Sequence, residues 1–356
     1  MQHRPSYTNI HNRFLLNGNH YNFTDLFEVA YSFIKEGAAH EKAVGDFLMD
    51  WIHPSDSITL KTSGSTGTPK LIRYDKQAMV NSALATGNHF GVQIGDTALH
   101  CLNADFIAGK MMLVRAMILG LELDLVPPQG NVLSHSEKPY DFVAMVPLQV
   151  EHAMADLNRI KTLLIGGAPS SAQLKTALKQ TTTHCYETYG MTETVTHIAS
   201  RKINATTSQF TPLPGVNLST DDRDCLVIDV PYLSDDKIIT NDIVALADDQ
   251  RFHLKGRFDT IINTAGIKVL PEEVEAKIAP CLDQPFFVGA INDEQLGQKV
   301  VLIVEGETQL ELNELLSSIK GLSPYELPKE IYSLPSFERT QNGKIQRQQT
   351  MVKLNL

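Results

Sequence analysis

Through residues 22–52 apolar positions recur every three or four residues, the spacing of amphipathic helices laid on a larger body. From residue 57 the pattern changes to short apolar runs alternating with helical periodicity. The runs at 57–63, 96–102, 140–146 and 161–167 predict strands, and the segments 75–90, 109–119, 147–157 and 170–180 predict helices. Such alternation builds a parallel or mixed sheet with helices on both faces. Ligand sites in these sheets sit where strands end and loops turn into helices. Past residue 256 the texture changes again: 258–278 reads as a short hairpin followed by a helix, and 285–292 and 299–306 read as two strands. The expectation is an α/β chain, with a large N-terminal domain over 1–256 whose β-α alternating sheets are covered by helices, and a small α+β C-terminal domain over 260–356.

Length and charge bound this picture. The 356 residues, 42% hydrophobic, suffice for one large domain and one smaller one. A formal net charge of -10 with no basic stripe argues against nucleic acid as a partner. Cys101, Cys185, Cys225 and Cys281 lie far apart without a CxxC pair, which signals neither zinc nor a disulfide framework and fits reduced thiols in a cytoplasmic protein. The first residues lack the apolar run of a secretory signal, and no window reaches the roughly 20 apolar residues of a spanning helix, so no membrane partner is expected. The acidic stretch 219–224 reads as a solvated turn.

The chemistry begins at Thr62-Ser63-Gly64-Ser65-Thr66-Gly67-Thr68-Pro69-Lys70, after the first predicted strand. Its glycines permit close backbone approach, its hydroxyls and N–H groups can donate to phosphate oxygens, and Lys70 adds charge. The spacing is not that of a Walker A loop, which argues against a P-loop kinase or phosphatase. This loop resembles the phosphate-binding signature of the adenylate-forming superfamily of acyl-CoA synthetases, carrier-protein adenylation domains and luciferases. Five further segments match that family in the same order. Gly166-Gly167-Ala168-Pro169 resembles the loop lining the adenine pocket, and Tyr189-Gly190-Met191-Thr192-Glu193 resembles the family's YGxTE. Thr240-Asn241-Asp242 resembles a TGD element with Asn in place of glycine. The stretch from Gly256 to Glu275 resembles GRxDxxIxxxGxxVxPxEVE, and Arg339-Thr340-Gln341-Asn342-Gly343-Lys344 resembles the RTxxGK loop.

The resemblance implies the roles. Thr62, Ser63, Gly64, Ser65, Thr66, Gly67 and Lys70 would bind phosphate, and Gly167, Ala168, Pro169, Tyr189 and Gly190 the nucleotide, with Tyr189 stacked on adenine. Thr192 would reach the α-phosphate and Glu193 would hold Mg2+. One carboxylate suits that ion, because phosphates and water supply its other oxygens. Asp242 and Arg257 would contact ribose, Asp259 would be the hinge within 257–259, and Gly266 would stand at the thiol tunnel with Phe106. Lys344 would be the mobile lysine that closes over the reacting carboxylate and α-phosphate during adenylation. The whole would be an ATP- and Mg2+-dependent acid–thiol ligase that forms an acyl-AMP and passes the acyl group to CoA after its mobile C-terminal domain turns about Asp259. A homodimer is also what the family implies.

For the acid, the segment from Leu102 to Arg115, Val146-Pro147-Leu148-Gln149 and the stretch around YETYGMTETVTH look like the o-succinylbenzoate-CoA ligases of menaquinone biosynthesis. That acid carries a ring and a second carboxylate, so Lys110 or Arg115 beside an apolar floor makes chemical sense. Three departures stand out: Phe106 replaces a histidine often found there, Gly266 is followed by Ile267-Lys268, and the phosphate loop begins near residue 62 rather than well over a hundred residues in, as if the N-terminal region were shortened. The alternatives are a ligase for another aryl or short acyl acid, a stand-alone carrier-protein adenylation enzyme, and a catalytically silent nucleotide-binding protein. Retention of Lys344, Glu193 and Asp242 argues against the last.

Overall fold

The computed structural model describes residues 5–61, 71–203, 208–307, 312–340 and 344–354. The chain divides into two compact units, 1–217 with 228–238, and 218–227 with 239–356. Phe252–Arg257 and nearly all of Ile238–Leu246 fall in the second unit.

The first unit is built on a nine-stranded sheet in the order Thr211–Pro212, His197–Lys202, His184–Gly190, Ile160–Ile165, Tyr140–Met145, Thr97–His100, Glu122–Leu125, Leu15–Leu16, Asn19–His20. Strands from His184–Gly190 through Leu15–Leu16 run parallel to their neighbours, and the outer ones antiparallel. The central strands carry apolar residues towards both faces because both are covered. Successive residues go to opposite sides: Phe142 and Ala144 join a core with helices Leu26–Glu36, Ala39–Ile52 and Ile107–Leu119, while Val143 and Met145 join a second core with Leu157, Leu174 and Cys185. Each such side chain contributes roughly 1.5–3 kcal/mol by leaving water. From Thr97–His100 the chain first adds Glu122–Leu125 on one side and then its later strands on the other. That reversal is where an open α/β sheet leaves a crevice at its carboxyl edge.

Two-residue periodicity gives a separate antiparallel ribbon, Ser57–Lys61 paired with Leu71–Asp75, the second strand being absent from the sequence expectation. The phosphate-loop residues between them lie outside the described residues. The helix expected over 147–157 is a shorter one, Pro147–His152, followed by a tight 3-10 segment, Met154–Arg159.

The second unit carries most of a four-stranded sheet, Asn217–Thr220, Cys225–Asp229, Ile238–Leu246, Phe252–Arg257, and all of a five-stranded one. In the latter, Ile262–Thr264 and Ile267–Val269 form the expected hairpin, followed by helix Pro271–Ile278 and strands Phe286–Asp293 and Gly297–Glu305. Ala265 and Gly266 turn that hairpin with φ of 50° and 79°. A two-residue hairpin turn with positive φ at both positions follows the strands' twist, and Gly266 meets it without strain. No helix among the described residues is long and apolar enough to cross a membrane.

Candidate active site

In the first unit the motif segments meet at the carboxyl ends of neighbouring strands. Ile160–Ile165 runs into Gly166, whose N–H donates to Met145 O at 3.1 Å, and Gly167 follows with φ +85°. The adjacent strand His184–Gly190 runs into a single turn, Thr192–Thr194. A side chain at Gly166 would meet Thr188 Oγ1 at 2.6 Å, and that hydroxyl donates to Ile165 O at 3.1 Å, so the two strand ends are locked together. Gly190 serves packing too: a Cβ there would lie 2.4 Å from Thr196 O. Thr194 stitches the turn, accepting from Met191 N–H at 3.0 Å and donating to Thr196 O at 2.6 Å. Tyr74 of the ribbon donates its hydroxyl to Thr192 O at 2.6 Å, and burial with the nearby Glu193 charge pushes its pKa up. The turn thus presents Glu193 exposed and Thr192 half-buried from a fixed backbone. Tyr189 is buried, its ring 5.9 Å from that of Phe210.

The loops after Thr97–His100, Glu122–Leu125 and Tyr140–Met145 are tied by one amide. Gln149 donates to Cys101 O at 2.6 Å and Pro128 O at 3.0 Å and accepts from Val146 N–H at 3.1 Å. Helix Ile107–Leu119 begins at the half-buried Phe106 and sends its two cations apart. Lys110 is buried with its ammonium 5.2 Å from the Phe47 ring, and burial lowers its pKa against the opposing charges of Asp50, Asp105 and Asp46. Arg115 is 2% exposed and donates from Nη2 to Thr196 Oγ1 at 3.1 Å. Its Nε is buried without a hydrogen-bond partner, and burial alone pushes its pKa to about 9, leaving it charged at neutral pH. Arg115 therefore reaches the residues directly beyond the Thr192–Thr194 turn, and Lys110 the helix Ala39–Ile52.

The second unit gathers another cluster. The register Asp242↔Arg257 places these residues side by side, with Arg257 Nη1 3.2 Å from Asp242 Oδ1. Arg257 also forks onto Asp259, from Nε at 2.9 Å and Nη2 at 3.0 Å. Burial pulls the Asp259 pKa up, but the Arg257 bonds outweigh it and hold the carboxyl below its usual range. Asn241 sits within Ile238–Leu246 without positive φ, accepting from Arg223 Nη1 at 3.0 Å, so the position does not need the glycine of the TGD pattern. Lys344 lies beside the antiparallel bridge of Arg339 with Ile345, its N–H donating to Thr340 Oγ1 at 3.2 Å and its carbonyl accepting from Thr340 N–H at 2.9 Å. The residue is exposed, yet its ammonium loses hydration against this cluster. That loss and the charge of Arg257 lower its pKa, with Asp242 and Asp259 opposing.

Sequence reasoning did not single out Tyr74, Thr86, Thr196 or His197 beside these segments: Tyr74, Thr86 and His197 are polar residues inside elements that periodicity reads only for their apolar face, and Thr196 lies in a loop that no period marks. No group of three or more His, Cys, Asp or Glu suited to a metal ion occurs among the described residues.

Comparison with known proteins identifies the family. The family described as AMP-binding enzyme matches residues 30–225. The 2-succinylbenzoate--CoA ligase of Salmonella typhimurium is 27% identical over 327 residues, covering 86% of this chain and 71% of that protein. A crystal structure of an acyl-CoA synthetase (AMP-forming)/AMP-acid ligase II-like protein from Dyadobacter fermentans is 34% identical with a TM-score of 0.61, covering 92% of this chain and 98% of that one. The o-succinylbenzoate CoA synthetase of Bacillus subtilis in complex with OSB-AMP shares the fold at a TM-score of 0.79 and 15% identity, covering 95% of each chain. With the family matched over more than half its length and a 34% identical relative along nearly all of it, this chain belongs to the AMP-binding enzyme family, as an AMP-forming acid–thiol ligase.

Proposed function

We propose that this ligase activates o-succinylbenzoate with ATP and transfers the acyl group to CoA. The observation that carries the choice of acid is Arg115: a buried guanidinium bound to a neutral hydroxyl, with an unpartnered Nε, beside the turn that bears Thr192 and Glu193. An uncompensated buried charge is costly and persists where a ligand supplies the counter-charge. An acid with two carboxylates does so, because one is activated and the other stays to meet the guanidinium, and the planar fork suits a carboxylate. The 2-succinylbenzoate--CoA ligases among the relatives support the same acid.

In this reading Glu193 would hold Mg2+, which when bound would supply neutralising charge to the nucleotide's phosphates. Thr192 donates to the α-phosphate, and Asp242, fixed by Arg257, accepts from the ribose hydroxyls. Lys344 brings an ammonium to the charge that builds as the carboxylate attacks phosphorus and pyrophosphate leaves, an effect of positioning and electrostatics rather than covalent chemistry. The loop Thr62–Lys70 takes the β- and γ-phosphates in the same proposal. The test is pyrophosphate release from ATP with CoA and o-succinylbenzoate, beside benzoate, a fatty acid and a no-acid control, with products weighed by mass spectrometry. Succinylbenzoyl-CoA is the expected product; turnover of another acid alone overturns the choice of substrate and leaves the ligase chemistry standing.

A further inference from the structure

Behind Arg115 lies a line of hydrogen bonds whose direction the chemistry fixes. Thr86 Oγ1 donates to Ser82 O at 3.0 Å, and a carbonyl can only accept, so the hydroxyl's single proton is spent there. His197 Nε2 stands 3.2 Å from the same Oγ1 and must therefore carry a proton and donate. The ring is buried with Arg115 and His89 nearby, and burial first, then their charges, push its pKa well below the usual value, so it is neutral and its Nδ1 is bare. Thr196 Oγ1 lies 3.5 Å from that Nδ1 and accepts from Arg115 Nη2 at 3.1 Å. An arginine has no acceptor, so the Thr196 proton points to the imidazole. The chain reads Arg115 to Thr196 to His197 to Thr86 to Ser82, each member donating to the next, and ends on a helix carbonyl.

We infer that Thr196, His197 and Thr86 are positioning residues that hold one corner of the Arg115 guanidinium so that its remaining N–H groups meet the substrate's second carboxylate, an inference that rests on the acid reading above. A purely packing role does not need this direction. With His197 in the other tautomer, Nε2 and Thr86 would face each other without a proton between them, and Thr196 would meet an N–H at Nδ1. The remaining contacts fix the ring: Phe90 lies edge-on at 5.8 Å between centroids, and the strand that starts at His197 is clamped to Gly190. The neighbouring His89 is engaged elsewhere, its Nε2 2.8 Å from Ser200 Oγ.

Two experiments decide the matter. Imidazole nitrogen NMR of histidine-labelled enzyme, with His197→Gln to assign the signal, should show a neutral ring protonated at Nε2; a proton on Nδ1, or a charged ring at neutral pH, overturns the chain. This measurement needs no substrate. In kinetics, Thr86→Val should raise the KM for o-succinylbenzoate about tenfold or more, with kcat and the KM for ATP nearly unchanged, as expected for misaligning a bond to a charged group, and Thr86→Ser should restore the wild-type KM. If Arg115→Gln raises the acid KM and Thr86→Val does not, the positioning inference fails alone. If Arg115→Gln leaves the acid KM unaltered, the acid reading fails with it.

Discussion

Replacing Gly190 by alanine tests whether the strand junction under the Thr192–Thr194 turn is set by packing. The added Cβ would lie 2.4 Å from Thr196 O, 2.5 Å from His197 Cα and 2.8 Å from His197 N, all backbone atoms of the paired strand. Ordinary contact begins near 3.4 Å, so the strands must part by about 3.4 − 2.4 = 1.0 Å, and no side chain can rotate to relieve it. Overpacking of this kind costs about 1–3 kcal/mol, and at about 2–4 °C per kcal/mol for a unit of this size the melting temperature should fall by roughly 2–12 °C. Because the displaced backbone carries Thr192 and Glu193, adenylation should fall further than stability alone explains, on the order of a hundredfold for a 1 Å misplacement. Gly166→Ala is the control. Its Cβ meets only Thr188 Oγ1 at 2.6 Å, with the next atom at 4.0 Å, and a hydroxyl can turn away at the loss of its bond to Ile165 O, about 0.5–1.5 kcal/mol. Thermal unfolding and ATP–pyrophosphate exchange measure both variants. A Gly190→Ala enzyme melting within about 1 °C of wild type, or a Gly166→Ala enzyme damaged more severely, would refute the steric argument.

Other perturbations follow from the same contacts. Lys344→Ala should slow adenylation by roughly 10²–10³-fold and change thioester formation from preformed acyl-AMP much less; equal losses in the two half-reactions refute that division. Gln149→Leu strands two buried carbonyls and one N–H at the carboxyl edge of the sheet, which should cost about 3 kcal/mol or more in urea unfolding, and a loss under about 1 kcal/mol would show that water replaces the amide. Burial raises Glu275 from 4.5 to about 7, against Arg347 and the Val288 N–H, which favour its carboxylate. A raised carboxyl stabilises the fold fully below the unfolded value of 4.5 and loses that contribution as pH climbs to about 7. Glu275→Gln should therefore gain on wild type by up to about 3 kcal/mol across that window, and a stability difference between the two that stays flat with pH rejects the assignment.

The parallel core was legible because strands such as Tyr140–Met145 and Ile160–Ile165 are apolar on both faces and alternate with helices of clear periodicity. The hairpin and helix after residue 260 were legible for the same reason, helped by the turn at Ala265-Gly266. The region from His184 to Arg257 was not. Its strands carry polar residues such as Glu187, Thr188, Ser200 and Asp242 in buried or half-buried places, so no clean alternation of apolar and polar positions marks them. The site shows the same division. Glu193, Asp242 and Lys344 are candidates that motif letters alone single out, whereas the separation of Lys110 from Arg115 depends on which side of one helix faces which neighbour. Both are cations in an apolar run, and a run that is apolar all round gives no direction.

The two charge clusters are built on opposite principles, and the difference bears on what each can do. In the second unit Arg257 is forked between Asp242 and Asp259, so its charge is met by the protein and its effect is to hold Asp242 in one orientation. A carboxylate has about four lone-pair positions, so Asp242 can keep this bond and still accept from a ligand's hydroxyls. In the first unit Arg115 has a threonine where Arg257 has two carboxylates, and the nearby His197 ring is neutral. A guanidinium already paired discriminates weakly among ligands, because its charge is spent; one left unpaired in a buried site penalises every ligand that cannot return a negative charge. On the proposed function, selection among acids belongs to Arg115 and the residues that aim it, and the paired cluster around Asp242 and Lys344 to the nucleotide chemistry that any acid must share.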